Sequence, residues 1–204
     1  MKVLVPLIAY LLGNFNSGII FSKLLYKKDI RALGSKNPGM TNAFRVLGKA
    51  AGVLVLVFDA LKGVAAVALA RWLLPQPLGT LDDFWPCLAA LCVVIGHNWP
   101  VLFQFRGGKG VATTAGVTLF LQPPVLFLEL IPFFLLLFGV KYMSLASIAC
   151  GVLLPVMTLL WHGGQANALF WLSLALGLLI VFQHRANILR LLRHKENKLF
   201  QKKK

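Results

Sequence analysis

Long apolar blocks alternate with short polar or Pro/Gly-rich breaks along this chain. Cutting at those breaks leaves seven blocks, at about 3–25, 51–72, 84–104, 111–122, 124–140, 142–161 and 167–183. A helix needs about 20 apolar residues to span a bilayer, and most of the blocks have that length. No apolar/polar alternation of period two runs through them, which argues against a membrane β-barrel. The fourth and fifth blocks are short and are separated only by Gln122-Pro123-Pro124, so they read either as two spans or as a re-entrant pair. Lys2 followed by the apolar run Val3 to Leu12 imitates a signal peptide. The next residues, Gly13-Asn14-Phe15-Asn16-Ser17-Gly18, offer no small-residue cleavage site and lead into more apolar sequence, so a first transmembrane helix is expected. The pattern predicts an all-α integral membrane protein with about seven transmembrane helices, a single membrane domain over 1–204 and no separate soluble domain.

Composition agrees with that class and adds an orientation. Of 204 residues 58% are hydrophobic and 13% charged, where a soluble domain carries about 25% charged residues. Twenty-one Lys and Arg stand against six Asp and Glu. With no soluble basic fold to present it, this excess does not point to nucleic acid; it points to positive-inside loops and to anionic substrates or lipid headgroups. Lys27, Lys28, Arg31, Lys36, Arg45 and Lys49 fall in loop 26–50, Arg106 and Lys109 in loop 105–110, Lys141 between the fifth and sixth blocks, and Arg185, Arg190, Arg193, Lys195, Lys198 and Lys202 to Lys204 in a basic tail, 184–204. With seven spans all of these share one side. The other side receives Lys2, Arg71, Asp82, Asp83 and the turn at His162. The N-terminus is then expected outside and the C-terminus in the cytoplasm. Cys87, Cys92 and Cys150 lie in apolar blocks without a C-x-x-C pair and read as small buried hydrophobes.

The polar segments gather on the cytoplasmic side of this scheme. Gly34 to Arg45 combines Ser35, Asn37, Thr41 and Asn42 as donors, Gly34, Pro38 and Gly39 for tight turns, and Arg45 as a forked cation. It fits a phosphate nest, or an ordinary loop that caps helices. Phe105-Arg106-Gly107-Gly108-Lys109-Gly110 sets a lysine among glycines whose N–H groups are expected to be exposed. It is neither a Walker A loop nor a dinucleotide fingerprint. His97 either lines that site or braces it. His184 and Asn187 share a helix face at i,i+3, with Arg185 and Arg190 pointing elsewhere, toward lipid phosphates. Ser144 either caps a helix or donates to an anion. Asp59 and Lys62 lie one turn apart inside the second block and are spaced for an intrahelical ion pair, whereas Glu129 has no evident partner. No carboxylate pair is placed for a metal.

These motifs resemble those of the bacterial acyl-phosphate:glycerol-3-phosphate acyltransferases, and the resemblance covers nearly the whole chain. The family pattern G-S-x-N-x-G-x-T-N-x-x-R matches Gly34 to Arg45; G-H-x-x-P followed by F-K-G-G-K-G-V-A-T matches Gly96 to Thr113; H-R-x-N-I-x-R-L-L matches His184 to Leu192, with Glu196 at the family's glutamate. Asp59-x-x-Lys62-Gly63 and Ser144-Leu145-Ala146-Ser147 also fit. Arg106, Lys36, Met40, Gln183, Asn14, Asn16 and His194 depart from the pattern without removing an expected catalytic group. The resemblance implies a membrane enzyme, of seven helices and without a cofactor, in the bacterial cytoplasmic membrane. It moves an acyl group from acyl phosphate to the sn-1 hydroxyl of glycerol 3-phosphate, the first step of phospholipid synthesis. By the same resemblance Ser35, Lys109, His184 and Asn187 are the catalytic candidates. Ser35, Arg45, Lys109, His184 and Asn187 are expected to hold glycerol 3-phosphate, and Asn37, Gly39, Thr41, Asn42, Gly107, Gly108 and Ser144 the acyl phosphate.

A missing motif bears on the donor. Thioester-dependent glycerolipid acyltransferases often carry H-x-x-x-x-D, in which the aspartate orients a histidine base. Five residues after His97, His162, His184 and His194 stand Leu102, Asn167, Leu189 and Leu199. A mixed anhydride needs less help, because its leaving group is good and its own phosphate oxygen can accept the proton. A transporter for a phosphorylated anion is the alternative class, but the chain shows no inverted repeat and its charges cluster at one face, away from the midplane.

Overall fold

The computed structural model describes residues 2–75 and 84–199, and among them every regular element is helical. Asp82, Asp83 and Lys202 to Lys204 lie outside the described residues. The helices are α1 (Leu4–Asn14), α2 (Ser17–Tyr26), α3 (Met40–Val46), α4 (Lys49–Leu73), α5 (Phe84–Asn98), α6 (Val111–Leu121), α7 (Pro123–Val140), α8 (Met143–Trp161), α9 (Ala168–Gln183) and α10 (Arg185–Leu192). Five stretches are long and apolar enough to cross a membrane: α1 with α2, α4, α5 with the turn that follows it, α7 and α8. The pair α9 and α10, bent by 57°, makes a sixth if it counts as one span. The chain is an integral membrane protein.

Two of the seven expected blocks look different in three dimensions. The first is broken at Phe15 and Asn16, where the backbone turns extended between α1 and α2. A break inside a membrane frees carbonyls that must find donors. Here the Lys62 ammonium supplies them, at 3.2 Å from the Gly13 oxygen and 2.8 Å from that of Phe15. The fourth block forms only the 11-residue α6, about 16 Å long by helical rise and short of the apolar core of about 30 Å. A buried polar triad follows its C-terminal end: the Gln122 amide donates to Thr158 Oγ1 at 3.0 Å and to Ser173 Oγ at 3.1 Å.

Helix pairing rests on small residues. α1 packs along α5, α4 along α6, and α8 along α9, with α7 outermost against α8. Gly13 and Gly96 make the first contact possible: a Cβ on Gly96 would stand 2.2 Å from the Tyr10 carbonyl oxygen. Without a hydrophobic drive inside lipid, such backbone approach is a main source of helix association. Most large exposed apolar side chains, such as Phe127, Leu135 and Phe138 of α7, face outward as lipid-facing residues do.

Candidate active site

Three polar segments far apart in sequence meet at one end of the bundle. In the first loop, Asp29 accepts from the Arg31 backbone at 2.9 Å and pairs with its guanidinium at 2.8 Å. These bonds, chiefly the side-chain ones, hold the Asp29 carboxyl down at about 2. Arg31 also donates to the Phe103 carbonyl at 3.1 Å, which ties this loop to the second. The loop is folded around Asn42. This buried side chain accepts from the Ser35 N–H at 2.9 Å and donates to the Leu33 carbonyl at 2.9 Å. Asn37 accepts from the Gly39 N–H at 2.9 Å and so sets the turn into α3, which carries Arg45.

The second loop is clasped to the end of α5. The Gly107 N–H donates to the Asn98 carbonyl at 3.2 Å and the Gly108 N–H to the His97 carbonyl at 3.1 Å. These glycines are needed for closeness, since a Cβ on Gly107 would stand 2.0 Å from the His97 oxygen. The expectation that their N–H groups lie exposed is therefore corrected: backbone carbonyls take both. Lys109, the next residue, is free to leave the loop, and its ammonium donates to Asn187 Oδ1 of α10.

The third segment begins at the bend between α9 and α10. His184 occupies the bend, buried, with its ring Nδ1 2.8 Å from the Ile180 carbonyl. A carbonyl only accepts, so Nδ1 carries the hydrogen and Nε2 of the neutral ring keeps its lone pair. Past α10 the chain turns back over the site. The Arg45 guanidinium donates to the Asn197 carbonyl at 3.1 Å, and the Leu199 N–H to the Lys141 carbonyl at 2.8 Å.

Glu196, on this returning strap, is the centre of the network. Its Oε1 accepts from Asn187 Nδ2 at 2.7 Å and from Ser144 Oγ at 3.0 Å, while Oε2 pairs with Arg190 Nε at 2.7 Å. Burial alone would raise its pKa, but these hydrogen bonds outweigh burial and hold it below the usual carboxylate range. Lys109 is shifted the other way: burial lowers its pKa to about 8, with Glu196 pulling it up and Arg190 and Arg45 pushing it down. Lys109 and Glu196 are also the charges acting on His184. The result is a cluster of three cations, exposed Arg45 and half-buried Lys109 and Arg190, around one carboxylate. Such a set can hold a dianion.

The structure thus brings Arg45, Lys109, Ser144, His184 and Asn187 together. No hydrogen bond among the described residues joins Ser35, Asn37 or Thr41 to Lys109; they enter through the first loop and α3. Asn42 has its side chain engaged in holding the loop. Ser144 donates to Glu196. Arg190, expected to face lipid phosphates, is turned inward by Glu196, whereas Arg185 is exposed and stacks over Phe182 at 4.6 Å. Asp59 and Lys62 form the expected ion pair at 2.9 Å. Sequence reading undervalued Glu196 and the strap around it. The available signal was a single acidic residue in a basic tail.

Comparisons with known proteins identify the family. The family model described as glycerol-3-phosphate acyltransferase matches residues 3–194. The glycerol-3-phosphate acyltransferases of Staphylococcus carnosus and Staphylococcus saprophyticus are 38% and 40% identical over 201 residues, covering 98% of each chain. Two crystal structures of PlsY, an integral membrane glycerol 3-phosphate acyltransferase, are 34% identical. Its glycerol 3-phosphate form superposes with a TM-score of 0.88 over 98% of this chain and 99% of that one. Its lysophosphatidic acid form gives 0.85 over 97% and 94%. The chain belongs to the glycerol-3-phosphate acyltransferase family.

Proposed function

We propose that this enzyme transfers a fatty acyl group from acyl phosphate to the sn-1 hydroxyl of glycerol 3-phosphate, at the cytoplasmic face of the bacterial inner membrane. The observation that carries the reading is the convergence of Arg45, Lys109, His184 and Asn187 at one end of the bundle. The solved relatives, described in a glycerol 3-phosphate form and a lysophosphatidic acid form, support this acceptor and this product.

In this mechanism Arg45 and Lys109 neutralise the phosphate of glycerol 3-phosphate, Ser35 and Asn187 donate to it, and the His184 Nε2 lone pair accepts from a glycerol hydroxyl. The acyl phosphate lies against Asn37, Gly39 and Thr41, with Asn42, Gly107 and Gly108 shaping the cradle through their internal bonds. Ser144 reaches it by exchanging its bond to Glu196. The sn-1 oxygen attacks the acyl carbonyl carbon, a new C–O ester bond forms, and the anhydride C–O bond breaks with its electron pair leaving on phosphate. The hydroxyl proton passes to a phosphate oxygen of the donor. The products are lysophosphatidic acid and inorganic phosphate. Lys109 stabilises the charge that develops on the leaving phosphate, and such fixed electrostatic help is usually the largest single contribution. Positioning of the two substrates supplies about 7–11 kcal/mol more.

The test gives purified protein radiolabelled glycerol 3-phosphate with acyl phosphate, acyl-CoA or acyl carrier protein in turn. Lysophosphatidic acid is expected from acyl phosphate alone, with phosphate released only when glycerol 3-phosphate is present. A matching rate from acyl-CoA would overturn the donor assignment and the proton route together.

A further inference from the structure

Behind the Gly107-Gly108 loop lies a cluster of buried charges that the mechanism does not use. Asp59, Lys62 and His97 are 1%, 6% and 3% exposed. The Lys62 ammonium stands 2.9 Å from Asp59 Oδ1, 2.8 Å from the Phe15 oxygen, 3.2 Å from the Gly13 oxygen and 2.8 Å from His97 Nδ1. An ammonium has hydrogens and no lone pair, so His97 Nδ1 accepts and the neutral ring carries its hydrogen on Nε2. Lys62 thereby fixes both the position and the tautomer of His97.

His97 in turn is the surface on which the loop rests. Its carbonyl accepts the Gly108 N–H at 3.1 Å. A Cβ on Gly108 would stand 2.1 Å from Nε2, so the ring lies directly against the loop backbone. The residue after Gly108 is Lys109. The path from the ion pair to the site is therefore continuous: Asp59 holds Lys62, Lys62 holds His97, His97 seats Gly108, and Gly108 sets where the Lys109 side chain begins. Ionisable residues buried among transmembrane helices are expensive and by default mark function. Satisfying the carbonyls of the break accounts for Lys62, but it does not require the His97 ring to stand against Gly108.

We propose that Asp59, Lys62 and His97 are positioning residues for Lys109, setting the height of its loop over the break between α1 and α2. The proposal rests on the reading that Lys109 acts on the substrate phosphate. Asp59→Asn with Lys62→Met removes both charges together and leaves neither one unpaired. His97→Asn keeps an acceptor for Lys62 but removes the ring behind Gly108. Each change is made with Lys109 intact and in a Lys109→Ala background. Thermal unfolding and size-exclusion profiles select the folded variants, and if the doubly neutralised protein does not fold, His97→Asn carries the comparison.

With Lys109 present, kcat/KM is expected to fall about 10²-fold, the loss typical of a misplacement near 1 Å. With Lys109 already removed, the same change is expected to cost no more than about threefold, because coupled residues are not additive. Equal losses in the two backgrounds, or none in either, would overturn the proposal. A Lys109→Ala enzyme with wild-type kcat/KM would instead remove the reading on which it rests.

Discussion

Lys109 carries the sharpest residue-scale expectations. It is a compact cation, half-buried, and bonded to Asn187. Lys109→Ala is expected to lose about 10²–10³ in turnover while the protein still inserts, the usual loss of one electrostatic donor. Near wild-type turnover in the purified variant would take Lys109 out of the site. Its pKa of about 8 sets a pH dependence. The charged form is present below that value and is lost above it. The kcat/KM for glycerol 3-phosphate, which reports the free enzyme, should therefore fall as pH rises through about 8. Bound phosphate favours the ammonium, so the alkaline limb of kcat should lie higher. Lys109→Arg keeps its charge throughout and should abolish the limb; a profile unchanged by that substitution refutes the assignment. On the proposed reading Arg45 clamps the phosphate in ground and transition states alike, and Arg45→Ala removes that clamp. It should raise KM for glycerol 3-phosphate far more than it lowers kcat.

At the scale of elements, glycine decides how close the helices come. α1 and α5 approach backbone to backbone at Gly13 and Gly96, with no room for a Cβ on either side. Gly96→Val must push them apart, and overpacking of this kind costs about 1–3 kcal/mol. Because α5 carries His97 beside Gly96 and its end clasps the Gly-Gly-Lys loop, thermal unfolding in detergent should show a lower midpoint, and activity should fall with it. An unchanged midpoint would mean that the contact does not hold the pair together. The break in the first block follows the same logic. Asn14, Asn16 and Ser17 are buried there because the interrupted helix needs polar company, and Lys62 and the Val55 carbonyl provide it.

For the whole molecule, cross-site hydrogen bonds constrain the path of the chain. Arg45 bonds to Asn197, Lys109 to Asn187, and Lys141 to Leu199. The first loop, the Gly-Gly-Lys loop, the α7–α8 turn and the tail therefore share one end of the bundle. The short α6 and the full-length α7 go out and return to that end. We propose that its excess of lysine and arginine places this end in the cytoplasm, as the positive-inside rule predicts. Single cysteines at positions 36 and 109, in a background lacking Cys87, Cys92 and Cys150, should be labelled from the cytoplasm. Labelling only from the periplasmic side would reverse the orientation.

The sequence by itself determined the class of the protein, because block length and low charge are composition properties that a bilayer reads directly. It also placed Arg45, Lys109, His184 and Asn187 as candidates, since cations beside glycines and amides stay recognisable without coordinates. Which groups are free was beyond it. Whether the Gly107 and Gly108 N–H groups face an anion or a carbonyl depends on how near the loop comes to the end of α5, and only the packed structure shows that their missing Cβ atoms are used for that contact. Likewise Arg190 and Glu196 lie six residues apart in a basic tail, and only the turn after α10 brings them to 2.7 Å. Ser144 and Arg45 join them from 52 and about 150 residues away. A hydrogen bond ends within about 3 Å, so separations of that order along the chain are closed by packing alone, and the wiring of the site belongs to the tertiary structure.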